Sequence, residues 1–200
     1  MTTDALLVFI GILLAVGLLS GLYMLIRKIQ FDQVERNFRS WAADYDGQVI
    51  RSHFAATPTL KGKFLGEDLL VYLSSVREKK SVREYYATYT SGIALPFTFT
   101  ITSQQWLQRH PVEQKRESDN LYFDDLRVSA AQKQTRMYFT NNKQVLASIA
   151  AIPGFVYLFS NSGGLIFECE VENRVAGASE ERARAVLNGV ADFVKQIRAR

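Results

Sequence analysis

The sequence predicts an α+β protein: one N-terminal transmembrane helix followed by a soluble domain with an antiparallel β meander, a β-hairpin and packed helices. Three observations carry this. Residues 5–26, ALLVFIGILLAVGLLSGLYMLI, hold no charged side chain. Several later runs alternate apolar and polar residues with the period of a strand. Those runs come in blocks with helical patterns before, between and after them, an order that argues α+β rather than alternating α/β.

At ~1.5 Å per helical residue the first run measures roughly 33 Å, enough to cross a hydrocarbon core of ~30 Å. A cleaved secretory signal would want a basic start, a shorter apolar core and a small-x-small cleavage site. Here Met1–Asp4 lacks Lys and Arg, and the run ends in Tyr-Met-Leu-Ile before Arg27 and Lys28. A retained anchor is expected. No Cys closely follows the run, which argues against a lipoprotein signal. Arg27, Lys28, Arg36 and Arg39 follow the span and no basic residue precedes it. The positive-inside rule then places the N-terminus outside and residues 27–200 in the cytoplasm, at the inner (plasma) membrane. Gly17 and Gly21 form a GxxxG with Ser20 beside them, a spacing that lets two helices approach closely, although glycines are common in membrane helices anyway.

The division expected is residues 1–28 as transmembrane anchor and basic flank, and residues 29–200 as a single soluble α+β domain. Of the 13 Phe, 9 Tyr and 2 Trp, all but Phe9 and Tyr23 lie after the span, so this part can bury a sizeable core. All 24 Lys and Arg follow residue 26, against all of the 20 acids except Asp4. This mild basicity suits an anionic membrane surface and is too weak to argue for nucleic acid. The single cysteine, Cys169, excludes an intramolecular disulfide.

Phe31, Val34, Phe38, Trp41, Ala42 and Tyr45 fall on one helical face, with Asp32, Glu35, Arg36 and Arg39 off it, and Asp46-Gly47 ends the helix. It can run on directly from the span. Strands are expected at 49–55, 59–65, 69–76, 82–90 and 97–102, in an antiparallel meander with REKKS (77–81) as an exposed turn. The polar segment 108–120 reads as a long, mobile loop. A short strand follows within 121–129, then helices over 130–140 and 142–152. Strands 155–159 and 165–171 form a hairpin around Ser160–Gly164. A last helix starts at Ser179, with Glu180 and Glu181 at its positive end and Lys195, Arg198 and Arg200 at its negative end.

The residues that could carry site chemistry favour plain readings throughout. His53 and His110 lack partners at metal-ligand spacing. Cys169 sits between Glu168 and Glu170, which oppose a thiolate, so a buried structural role is expected. Glu117, Asp119, Asp124 and Asp125 lack the ordered ligand positions of a calcium loop, and Lys115, Arg116 and Arg127 partly neutralise them. Gly163-Gly164 is a turn without a following phosphate-binding helix. Tyr85, Tyr86 and Tyr89 read as packing rather than a base-stacking platform.

The uncharged span, basic flank, amphipathic helix, strand meander, turn at Phe123-Asp124, two short helices, hairpin and terminal helix together resemble uncharacterised single-pass bacterial membrane proteins. That resemblance implies no activity, substrate or catalytic residue. The expectation is a non-enzymatic accessory or assembly subunit with no cofactor, whose partners are the lipid bilayer and another membrane protein or complex, with no small-molecule substrate identified. The alternative is a membrane-surface lipid-binding or sensor domain, with Arg27, Lys28, Arg77, Lys79 and Lys80 at the headgroups. A third reading is an enzyme whose site assembles from distant residues.

Overall fold

The computed structural model describes residues 3–77, 83–110 and 119–199, with side chains from Val8 onward. A first helix, α1 (Thr3–Ala42), is a single unbroken element, followed by a 3-10 turn over Ala43–Tyr45. Its N-terminal part is apolar all round and uncovered by the rest of the chain: Val8, Leu14, Leu18 and Leu22 all stand exposed. From Phe31 onward the same helix becomes amphipathic. Phe31, Val34, Phe38 and Trp41 are fully buried, as their spacing predicts, and Tyr45 is half-buried. Asp46 then adopts a left-handed conformation (φ 47°), and the Gly47 N–H donates to the Ala42 carbonyl at 2.8 Å. This left-handed residue and its hydrogen bond satisfy a helix-end carbonyl.

Among the described residues nine strands make one antiparallel sheet: β1 (Gln48–Ile50), β2 (Thr59–Phe64), β3 (Glu67–Val76), β4 (Glu84–Ser91), β5 (Phe99–Ser103), β6 (Asn120–Phe123), β7 (Leu126–Ser129), β8 (Phe155–Asn161) and β9 (Gly164–Val171). Their order is β1-β2-β3-β4-β9-β8-β5-β7-β6. The meander is real for β1 to β4. The fifth expected strand does not extend it, because the late hairpin β8–β9 inserts between β4 and β5. Gly164 makes that insertion possible. It holds φ at 137°, and a Cβ there would lie 2.1 Å from the Ser91 carbonyl oxygen, so only glycine fits the tip of β9 beside β4.

Other elements depart from the sequence reading in ways the contacts explain. The strand expected over 49–55 stops at Ile50, because Arg51 turns inward to Asp32 and Glu35 and its guanidinium takes the His53 and Phe54 carbonyls. The strand expected within 121–129 is a hairpin, β6–β7, turned at Asp124 (φ 30°). A short helix that the pattern did not announce, α2 (Gln104–Arg109), follows β5, with Ser103 Oγ accepting from the Trp106 N–H at 3.3 Å. The helix expected over 130–140 is α3 (Lys133–Asn141). The one expected over 142–152 is a 3-10 turn followed by the single turn α4 (Ala147–Ala150). A further turn, α5 (Arg174–Gly177), precedes the terminal helix α6 (Glu180–Arg198). Ser179 occupies the N-cap of α6 without a side-chain cap bond. The turn expected at 77–81 lies outside the described residues except for Arg77, and most of the 108–120 loop is likewise outside.

The core lies between one sheet face and α1 and α6. Ala87, Tyr89, Leu69, Val71, Leu73, Phe167 and Cys169 meet Phe38, Trp41, Val186, Leu187, Val190 and Phe193 there. Tyr89 stacks on Phe167 with centroids 4.9 Å apart. Two long-range hydrogen bonds fix α1 to the segment before α6: Trp41 Nε1 donates to the Ala178 carbonyl at 2.9 Å, and Asn37 Nδ2 to the Val175 carbonyl at 3.0 Å. The 3-10 turn that follows α1 meets β2. A Cβ on Gly62 would lie 2.6 Å from the Tyr45 carbonyl oxygen, so this glycine permits the close approach.

Candidate functional site

The residues best placed to act together gather where α1 leaves its apolar stretch and enters the domain. Phe31 is fully buried, and three guanidinium groups surround its ring. Arg27 comes from the preceding turn of α1, with its central carbon 5.2 Å from the ring centroid; Arg51, from the end of β1, is at 5.9 Å; Arg174, from α5, is at 5.8 Å. The ring's negative face attracts each cation. Arg174 also lies 5.4 Å from the Tyr85 ring and donates from Nη2 to Ser75 Oγ at 2.8 Å. The C-terminal end of β3 and the start of β4 are thereby tied to the exit of the helix.

The charges divide into two groups. Arg51 is neutralised: it donates to Asp32 at 2.6 Å and Glu35 at 3.1 Å, with Lys28 on Asp32 at 2.7 Å and Arg39 on Glu35 at 2.6 Å. Hydrogen bonds from Lys28, then Arg51, hold the Asp32 carboxyl below its usual range. Burial works against the charge on Arg51, and its two carboxylate partners outweigh that, so its pKa is raised. Arg174 is the opposite case. Burial, then the cations Arg83 and Arg27, hold its pKa down, and Tyr23 of α1 is near enough to act on it. Among the described residues no carboxylate lies at ion-pair distance from Arg27, Arg77, Arg83 or Arg174.

Of the basic residues singled out in the sequence, Arg27 is in this cluster, Lys28 is committed to Asp32, and Arg77 stands exposed at the end of β3. Lys79 and Lys80 lie outside the described residues. Arg51 and Arg174 were not legible as members, because only the folded chain brings them to Phe31, and the charge of Arg83 reaches Arg174 for the same reason. Gly17, Ser20 and Gly21 sit on the uncovered part of α1, where a Cβ on either glycine would meet nothing within 4 Å.

A second polar constellation lies on the sheet face turned away from the core, under α2. Tyr86 Oη donates to Glu84, and Trp106 Nε1 donates to Tyr86 Oη at 3.3 Å. His110 Nε2 lies 3.1 Å from Glu84 Oε2, and its ring stacks on Trp106 at 4.7 Å. Arg109 grips Glu170 with two nitrogens, which lowers the Glu170 pKa. Burial, aided by the bond to Glu84, pushes the Tyr86 hydroxyl up to about 12. Glu168, accepting from Thr88 at 2.6 Å, is raised by burial. These pairs satisfy one another and pin α2 to β4 and β9.

The remaining candidates are separate. His53 is exposed, with its ring against Phe54. Cys169 is fully buried, and burial pushes its thiol up to about 12. Asp119 pairs with Arg136 at 3.2 Å, away from the Asp124-Asp125 turn, and Glu117 lies outside the described residues. Among the described residues no three His, Cys, Asp or Glu side chains gather where they could hold a metal ion. The surface of the described residues carries open depressions. One of about 650 Å³ lies near the Gly92 and Gly164 end of β3, β4 and β9, and one of about 520 Å³ lies between α2 and the Asp124-Asp125 turn.

The chain is therefore α+β, with, among the described residues, one helix long and apolar enough to cross a membrane, reaching a mean hydropathy of 2.4, and a nine-stranded antiparallel sheet packed by further helices. Among solved structures it is similar to the crystal structure of the mycobacterial trehalose monomycolate transport factor A, TtfA. The TM-score is 0.51 at 11% sequence identity, over 82% of this chain and 94% of that one. At this identity the likeness concerns the fold. No protein-family model matches the sequence, and no curated protein matches it.

Proposed function

We propose that this chain is a single-pass, membrane-anchored, non-enzymatic accessory or assembly subunit. Residues 1–28 form the anchor and its basic flank. Residues 29–200 form one domain on the cytoplasmic side of the inner membrane, which binds another membrane protein or complex. The observation that carries the reading is the continuity of α1: the helix that is uncovered and apolar as far as Ile26 is, from Phe31, part of the domain's core. A domain held in this way is confined to the membrane plane. Confinement raises its effective concentration for partners in the same membrane without any new contact. The fold neighbour's description as a transport factor supports a role alongside other membrane machinery. The basic flank supports the cytoplasmic placement.

The test is purification of the tagged full-length chain in mild detergent, followed by identification of what co-purifies, in parallel with residues 27–200. The proposal expects a membrane protein in stoichiometric amount with the full chain and much less with the truncated one. A full-length chain that co-purifies with no membrane protein and turns over a small molecule would overturn it.

A further inference from the structure

We propose that the edge of the domain around Arg174 is a binding site for anionic phospholipid headgroups, built from Arg27, Arg77, Arg83 and Arg174 with Phe54 as an apolar contact. The inference rests on α1 crossing the bilayer, as proposed above.

Geometry supplies the occupant. Tyr23 and Ile26 close the apolar run, and Arg27 is one helical turn, about 6 Å, beyond Tyr23. Aromatic and basic residues in this order sit at headgroup depth when a helix spans a membrane. Arg174 is at the same level, since it shares the Phe31 ring with Arg27. Arg83 is near enough to repel it, and Arg77 and Arg83 flank the end of the β3–β4 hairpin, whose Ser75 accepts from Arg174. Four cations thus lie along this edge, and among the described residues none of them is ion-paired to a carboxylate. Asp32 and Glu35, near the Phe31 ring, are already taken by Lys28, Arg39 and Arg51, and Glu84, beside Arg83, accepts from Tyr86 and lies 3.1 Å from His110.

Such an arrangement repels itself in isolation and is relieved by phosphate-bearing headgroups, for which guanidinium is the suited donor. Arg174 offers more than charge. Its Nε is buried without a partner, while its flat face is held between Tyr85 and Phe31. The loop after β1 adds an exposed Phe54, 57% accessible, whose carbonyl is held by Arg51 beside the same ring, and Val76 stands exposed at the end of β3. Exposed apolar side chains rimmed by cations are what an interfacial surface presents. The sequence also pointed to Lys28, Lys79 and Lys80 for this role; Lys28 is committed to Asp32, Lys79 and Lys80 lie outside the described residues, and the fold adds Arg83 and Arg174.

The experiment uses the full-length chain reconstituted in nanodiscs of mixed phosphatidylcholine and phosphatidylglycerol, with the lipids retained on the protein after extraction compared with the bulk ratio. Phosphatidylglycerol should be enriched on the native chain. Each cation removed should weaken its retention by about five-fold at low salt. The variants are Arg83→Gln and Arg77→Gln, both exposed and outside the core, and Arg174→Gln. Arg184→Gln, which breaks contacts with Asp44 and Glu180 instead, should retain the native enrichment. Lipid retained in the bulk ratio by inserted protein would overturn the site, as would enrichment that survives all three variants. A chain that does not insert into bilayers at all would overturn the anchoring itself, a distinguishable result.

Discussion

Trp41→Ala separates a helix that merely leads into the domain from one that is part of it. Trp41 is fully buried, packs edge-on against Phe38 at 5.7 Å and Tyr45 at 5.6 Å, and donates to the Ala178 carbonyl. Truncating a buried aromatic of this size costs about 3–5 kcal/mol through lost transfer energy and the cavity left behind. In a domain of this length each kcal/mol is worth about 2–4 °C, so the full-length chain in detergent should melt roughly 6–20 °C lower by near-UV circular dichroism. Trp41→Phe keeps most of the volume and loses the donor, leaving the Ala178 carbonyl unpaired for about 1–3 kcal/mol. It should fall between native and Trp41→Ala. A Trp41→Ala chain that is destabilised by less than about 0.5 kcal/mol would mean that α1 is not docked as described, since such small effects belong to surface sites.

Three further outcomes follow from the same packing. Leu187→Asp places a charge on the fully buried face of α6 and should abolish the cooperative melt, while Asn188→Asp on the exposed face should leave it unchanged; equal melting of both would detach α6 from the core. The Cys169 thiol is raised from 9.0 to about 12 by burial, so its contribution to stability is fully present below pH 9 and lost as pH rises through about 12, a change of about 4 kcal/mol at most. The stability difference between the native chain and Cys169→Ala should therefore narrow over that window in alkaline unfolding experiments, and a constant difference would contradict the burial argument. Gly17→Leu with Gly21→Leu should leave membrane insertion intact and leave partner co-purification near the native level; a marked loss would show that the span itself contacts the partner through its small residues.

The two halves of α1 were legible because each has its own pattern: charge-free length in the first, a 3.6-residue apolar stripe in the second. The β3–β4 and β8–β9 hairpins were legible for a similar reason, since period-2 alternation and turn residues are local. Sheet order was not, because alternation says which side chains share a face and nothing about which strands are neighbours. The insertion of β8–β9 beside β4 depends on Gly164 clearing the Ser91 carbonyl, a contact between residues far apart in the chain. Arg51 shows how a local pattern misleads: Val49 and Ile50 read on into a longer strand, and a tertiary ion pair with Asp32 and Glu35 ends it. The basic site was half legible. Arg27 stood out beside the span, whereas Arg174 reads in sequence as one more exposed arginine before a glycine, and only the docking of α5 on α1 brings it to Phe31.

The central claim is that α1 is one continuous helix that crosses the bilayer and holds the Arg174 edge of the domain against it. Depth measurement on the full chain in vesicles tests this directly, with a spin label introduced at Arg83→Cys or at Gly163→Cys in a Cys169→Ala background. β9 runs away from Arg174 for eight residues, roughly 26 Å, to the Gly163 turn. The account predicts that a label at position 83 contacts lipid-borne relaxation agents at headgroup depth and that a label at 163 reports bulk water. Equal accessibility at the two positions, or the reverse order, would contradict it.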